Sequence, residues 1–136
     1  MTIRSILFVT LPWLVACGGP AVGEVRTGLP HQARGENCQL ELVSITASDM
    51  APGARFGSGG QYEMVGMVTV GADEGTDAFS AKIKELVRPR ACRMGGEVVS
   101  LLASGTDSNA YGHAQQSIAY QVWARRNTAA PASSTF

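Results

Sequence analysis

The stretch "ADEGTDAFSAKIKELVRPRACRMGGEVVSLL", Ala72 to Leu102, contains the change of period from which the fold is read. Asp73, Glu74 and Asp77 come first, acids suited to the positive end of a helix. Phe79, Ile83, Leu86 and Val87 follow at helical spacing and define one apolar stripe. Pro89 has no N–H to donate and is expected to kink or restart the helix, after which "RACRMGG" continues until Gly95 and Gly96 supply a C-terminal stop. "EVVSLLAS" (Glu97 to Ser104) is then a short apolar run of buried-strand character.

Outward from that helix the periods are those of strands. "CQLELVSI" (Cys38 to Ile45) alternates, with Leu40 and Leu42 on one side. "YEMVGMVTVG" (Tyr62 to Gly71) is apolar on both parities, as a central strand would be, with Gly66 marking a bulge or a close approach. "GTDSNAYG" is a turn, and "QQSIAYQVWAR" (Gln115 to Arg125) is a last alternating strand with Ile118, Tyr120, Val122 and Ala124 on one face. The order is strand, strand, helix, strand, strand. It predicts a small α+β domain: a four-stranded, mainly antiparallel sheet with one helix on one face. Tyr62, Tyr120 and Trp123 are assigned to sheet packing rather than to a stacking platform.

This domain is expected over residues 38–126. Residues 18–37 are rich in Gly, Pro and polar residues without an apolar period and read as a flexible tether; 127–136 read as a disordered tail. The first residues, "MTIRSILFVTLPWLVAC", carry one basic residue, Arg4, and an apolar run from Ile6 to Ala16, the arrangement of a secretory signal over 1–16. That run is too short to span a bilayer, which takes roughly 20 apolar residues. "LVA" before Cys17 resembles the bacterial lipoprotein box, which implies that Cys17 is acylated and becomes the first mature residue. Gly18 after it, where Asp would mark inner-membrane retention in that family, implies the outer membrane. A plain secretory signal with an incidental Cys17 is the alternative.

Lys and Arg together number 11, as do Asp and Glu, so there is no electrostatic footprint for nucleic acid. With Cys17 acylated, Cys38 and Cys92 are an even pair in an oxidising compartment, 54 residues apart, for which a disulfide is the default expectation. Two free thiols are one alternative; a metal site completed by His113, or by Met64, Met67 and Met94, is another. No Cys-x-x-Cys, His-x-x-x-His or clustered acidic motif supports such a site, and no metal or cofactor is expected. A catalytic set is missing too: the chain has only His31 and His113, and no Gly-x-Ser-x-Gly elbow. Glu63 and Glu97 read as solvated strand-edge charges. The Gly-rich stretch "TASDMAPGARFGSGG" (Thr46 to Gly60) lacks the Gly-Lys-Ser/Thr ending of a phosphate loop and reads as mobile.

The lipoprotein box, the tether, "YEMVGMVTV" and "LVRPRACRMGGEVVSLL" together resemble small bacterial envelope lipoproteins, in which a helix ending at a cysteine and glycines leads into a strand. More distantly the chain is similar to the Rcs-pathway stress-sensor lipoprotein and to YbjQ-type heavy-metal-binding domains. The likeness spans Cys38 to Leu102, with Cys92 at the helix cysteine and Gly95 and Gly96 at the turn. It implies a disulfide-bonded α+β fold and an envelope location. The function expected is that of a lipid-anchored, non-enzymatic module contacting a protein partner. A metal- or small-ligand-binding protein using Cys38, Cys92 and His113 is the second reading.

Overall fold

The computed structural model describes residues 21–28, 30–108 and 112–127. In chain order these form β1 (Val22–Arg26), β2 (Glu41–Val43), a 3-10 turn (Ser48–Met50), β3 (Tyr62–Asp73), α1 (Ala81–Arg93), β4 (Val98–Ser108) and β5 (Ala114–Arg125). The strands make a single sheet in the order β1-β3-β5-β4-β2. The fold class is mixed α+β with one helix, but the sheet has five strands rather than the four expected.

The fifth strand is β1, and it arises inside the stretch expected to be tether. It pairs antiparallel with β3, Val22 opposite Val70 and Arg26 opposite Gly66. Its alternation breaks after Val22, which packs on the helix-face core. Glu24 points toward α1, where Arg93 lies 3.4 Å away and Arg90 4.0 Å away, whereas Val25 faces outward and is 61% exposed. A charged residue is tolerated on the helix side because it meets cations in the last helical turn, which also favour the negative end of the helix dipole.

The sheet is also not wholly antiparallel. β2 runs parallel to β4, pairing Glu41 with Val98 and Val43 with Ser100. Only Glu41–Val43 of the expected strand at Cys38–Ile45 enters the ladder. β3 runs on to Asp73 and takes in the first of the acids expected to open the helix. α1 starts instead at Ala81, where the Ser80 hydroxyl caps it by accepting the Ile83 N–H at 3.4 Å. Pro89 sits within the helix without ending it. It forfeits one hydrogen bond, while Ile83, Val87 and Ala91, all buried at four-residue spacing, hold the turns before and after it on the sheet.

The C-terminal stop is a Schellman motif. The Gly96 N–H reaches the Ala91 carbonyl at 2.9 Å and the Gly95 N–H reaches the Cys92 carbonyl at 3.0 Å. Gly95 has φ of +83°, and a Cβ there would meet the His31 Cβ at 2.6 Å and the Gln32 carbonyl at 2.8 Å. Gly66 lies at a bulge, as its place in β3 suggested, and a Cβ would meet the Met94 sulfur at 2.5 Å.

Two apolar clusters follow from the two sheet faces. On the helix face Val68, Val70, Ile118, Tyr120 and Val122 pack under Ile83, Val87 and Ala91. On the other face Phe56, Tyr62, Val98 and Trp123 form a smaller cluster. The Gly-rich stretch covers that cluster, contrary to its reading as a mobile loop. Phe56 drops from it onto Trp123, ring centres 5.1 Å apart, and onto Tyr62 at 5.4 Å. Its turns are held by the Thr46 hydroxyl and amide, which both donate to Asp49 and lower that carboxyl's pKa. Gly57 and Gly60 lie against the Ala51 and Ala54 carbonyls, where no side chain fits.

Candidate functional site

Cys38 and Cys92 are joined in a disulfide, with Cα atoms 5.9 Å apart. The bond ties the segment entering β2 to the last turn of α1, where the Arg34 N–H also donates to the Cys92 carbonyl at 2.8 Å. Bonded sulfurs offer no thiolate to a metal. His113 directly precedes β5, at the Ser108 end of the β4–β5 ladder, whereas the bridge lies by the Val98 end, roughly 30 Å along the strands. The structure therefore does not bring His113 to the cysteines. Of the three methionines, Met94 is buried in the helix-face core and Met64 packs beside the smaller cluster. Among the described residues no group of three or more His, Cys, Asp or Glu side chains is placed to hold a metal. Cys17 lies outside the described residues, as does the 1–16 segment. No described helix is long and apolar enough to cross a membrane.

Glu63 and Glu97 are not the solvated charges their positions suggested. Glu63 accepts from Arg126 at 3.3 Å and lies 2.7 Å from Nε2 of His31, whose side chain is largely buried. Glu97 faces Arg125 at 3.5 Å. His31, Glu97, Arg125 and Arg126, with Arg34, border an open groove at the bridge end of the sheet. Its guanidinium groups are already engaged: Arg34 donates to the Gly96 carbonyl at 2.7 Å and Arg126 to the Gly60 carbonyl at 3.1 Å. These contacts fasten connecting segments to one another beside the sheet and occupy the Arg34 and Arg126 guanidinium groups. Nothing local in sequence marked His31, because its partner is 32 residues away.

The opposite end of the sheet is built differently. β2 stops at Ser100 of β4, so that β4 from Leu101 to Ser108 has β5 on one side and no strand on the other among the described residues. An edge of that kind carries a row of N–H and C=O groups with no protein partner. The usual guards are sparse: "LLASGTDS" (Leu101 to Ser108) contains no Lys, no Pro and one acid, Asp107, and its protection is a bulge between Leu101 and Ala103. At that bulge Leu102 is 47% exposed. The sheet face beyond the Gly-rich stretch is equally bare. Val25, Met67, Ala103 and Ala119 are at least partly exposed on it, small or apolar and without a covering element among the described residues. Edge and face together form a surface of small, apolar and neutral polar residues with acids only at its far end, Asp73 and Asp107 opposite Gln115, suited to an extended polypeptide.

No protein-family model matches the chain, and no curated protein matches it. Among solved structures, the crystal structure of a Francisella virulence factor, FvfA, in its orthorhombic form is similar at a TM-score of 0.47 with 12% identity, over 76% of this chain and 98% of that one.

Proposed function

We propose that this chain is a lipid-anchored bacterial envelope protein whose disulfide-bonded α+β domain binds another envelope protein and performs no catalysis. The observation that carries the binding role is the uncovered edge of β4 from Leu101 to Ser108. The occupant is an extended segment of a partner, which would add a strand there and satisfy the outward N–H and C=O groups, while Leu102 offers an apolar side-chain contact. The anchor rests on the lipoprotein box ending at Cys17, and the envelope location on the resemblance to small envelope lipoproteins such as the Rcs-pathway stress sensor. Two or more acyl chains at Cys17 would hold the protein stably, each buried methylene adding about 0.8 kcal/mol. β1 begins at Val22, so an anchored domain would have a leash of at most roughly 18 Å and would work close to the membrane surface.

The test places a photo-crosslinking residue at Leu102 or Thr106 in cells, with Lys82 on the exposed side of α1 as control. A discrete adduct with another protein at the two edge positions, absent at Lys82 and lost when the other edge position carries Lys, is expected. An adduct of twice the chain's own mass would make the edge a self-association surface. The same pattern at all three positions, or none at the edge, would remove the proposal. Intact mass of the membrane-extracted protein tests the anchor separately.

A further inference from the structure

Between α1 and the β2 side of the sheet lies a cleft of about 140 Å³, and nothing in the protein-binding reading uses it. Its walls are Leu40 and Leu42 from the β2 segment, Ile83 and Val87 from α1, and Val99 and Tyr120 from the sheet. The cleft exists because β2 is only three residues long and half buried, so the segment leading into it does not close fully against the helix. The polar group in the wall is already satisfied: the Tyr120 hydroxyl donates to the Ala78 carbonyl at 2.6 Å. Burial, and then the charge of Asp77, push that hydroxyl up to about 12, so it remains a neutral donor. An occupant therefore meets a largely apolar interior in which the Tyr120 O–H has no proton left to donate.

The mouth is of opposite character. Lys84 and Arg88, one helical turn apart on α1, border it. Neither makes a salt bridge among the described residues, whereas Arg55, Arg90, Arg93, Arg125 and Arg126 each face a carboxylate. Two uncompensated cations above an apolar slot are complementary to a molecule with an aliphatic tail and one anionic head. We propose that this cleft binds the tail of an aliphatic carboxylate, with the carboxylate held at the mouth by Lys84 and Arg88. The volume sets the depth: an apolar cavity of about 150 Å³ accepts benzene, so roughly six carbon atoms fit inside. A medium-chain fatty acid fits that geometry, its terminal methyl at the floor and its head at the rim.

The test uses the full chain carrying Cys17→Ala, so that no acyl group of its own competes, and octanoate as the probe. Octanoate should give saturable amide chemical-shift changes confined to the cleft walls, at Leu40 and Leu42, along α1 from Ile83 to Arg88, and at Ala78, Val99 and Tyr120. Octan-1-ol should bind about tenfold more weakly, and octyltrimethylammonium should give no saturable change. The double variant Lys84→Gln/Arg88→Gln should equalise octanoate and octanol, and Ala78→Leu, which adds volume at the cleft wall, should weaken both. Equal binding of octanoate and octanol to the unaltered cleft would overturn the assignment of a carboxylate. Shifts elsewhere, no saturation, or tighter binding of N-acetyl-leucine would overturn the aliphatic ligand.

Discussion

Replacing Cys38 and Cys92 together by Ala removes a cross-link that closes a loop over a sequence separation of 54. The chain-entropy relation for a loop of that length gives about 4 kcal/mol at 25 °C as the stabilisation from restricting the unfolded state. A domain of this size is held by a net of about 5–15 kcal/mol, so the loss is a large share of the whole. The structure also says where the loss appears first. The bridge tethers a segment whose strand has only three residue pairs with β4, supported by the Glu41 N–H to the Glu97 carbonyl at 3.0 Å. Without the bridge, β2 should open locally before the sheet unfolds. Urea unfolding followed by Trp fluorescence should show the midpoint falling, with hydrogen exchange at Leu40, Leu42 and Val43 rising to near-unprotected rates while Val68, Tyr120 and Val122 stay protected at low urea. Adding reductant to the unaltered protein should reproduce the shift. An unchanged midpoint, or protection at Leu42 that persists in the double variant, would refute the assignment of β2's stability to the bridge.

Gly95→Ala should cost about 1–2 kcal/mol from the left-handed backbone alone, and more from the crowding against His31 and Gln32; a fall in thermal midpoint larger than that of Gly75→Ala, where a Cβ meets open space, checks it. Trp123→Phe removes the 2.9 Å hydrogen bond from Nε1 to the buried Ser100 hydroxyl and should cost roughly 1–3 kcal/mol, part of it recovered in Trp123→Phe/Ser100→Ala; no recovery in the denaturation midpoint would argue against the bond. Tyr120 has a folded-state pKa raised above its unfolded one, so the stability it contributes is complete below about pH 10 and is lost as pH rises toward about 12. Tyr120→Phe should flatten that alkaline decline in a pH series of unfolding midpoints, and an unchanged decline would assign it to other groups.

The helix, β5, most of β3 and β4 as far as Ser104 were legible because each carries apolar residues at its own period, although bulges shift that parity in β3 and β4 and the strand continues through residues 105–108, which read as a turn. Ile83, Val87 and Ala91 repeat every fourth residue, and Ile118, Tyr120, Val122 and Ala124 every second, all on buried positions. Gly95 and Gly96 were legible because a left-handed turn asks for one residue type. β1 was not legible, since after the inward Val22 the next inward residue is Glu24 and the outward one Val25, an exchange that makes sense only once Arg90 and Arg93 stand opposite. The parallel pairing of β2 was hidden for a related reason: its partner is β4, with β3 and α1 lying between them in the chain. The two candidate sites were invisible because both are defined by what fails to pair. Leu102 looks like a core residue until β2 stops short, and Lys84 and Arg88 look like any solvated helix face until a cleft opens below them.

The strand order has a consequence for how the chain comes to be folded. β5 lies at the centre of the sheet, flanked by β3 and β4, yet it is the last element among the described residues. Before residues 114–125 emerge during synthesis or export, the available pairings are the five-residue ladder of β1 with β3 and the three-residue ladder of β2 with β4, and ladders of that size are marginal alone in water. The two longest ladders, of β5 with β3 and with β4, can therefore form only once residues 114–125 are available. Cys38 and Cys92 both precede that moment, so an oxidant can meet them before any sheet protects them.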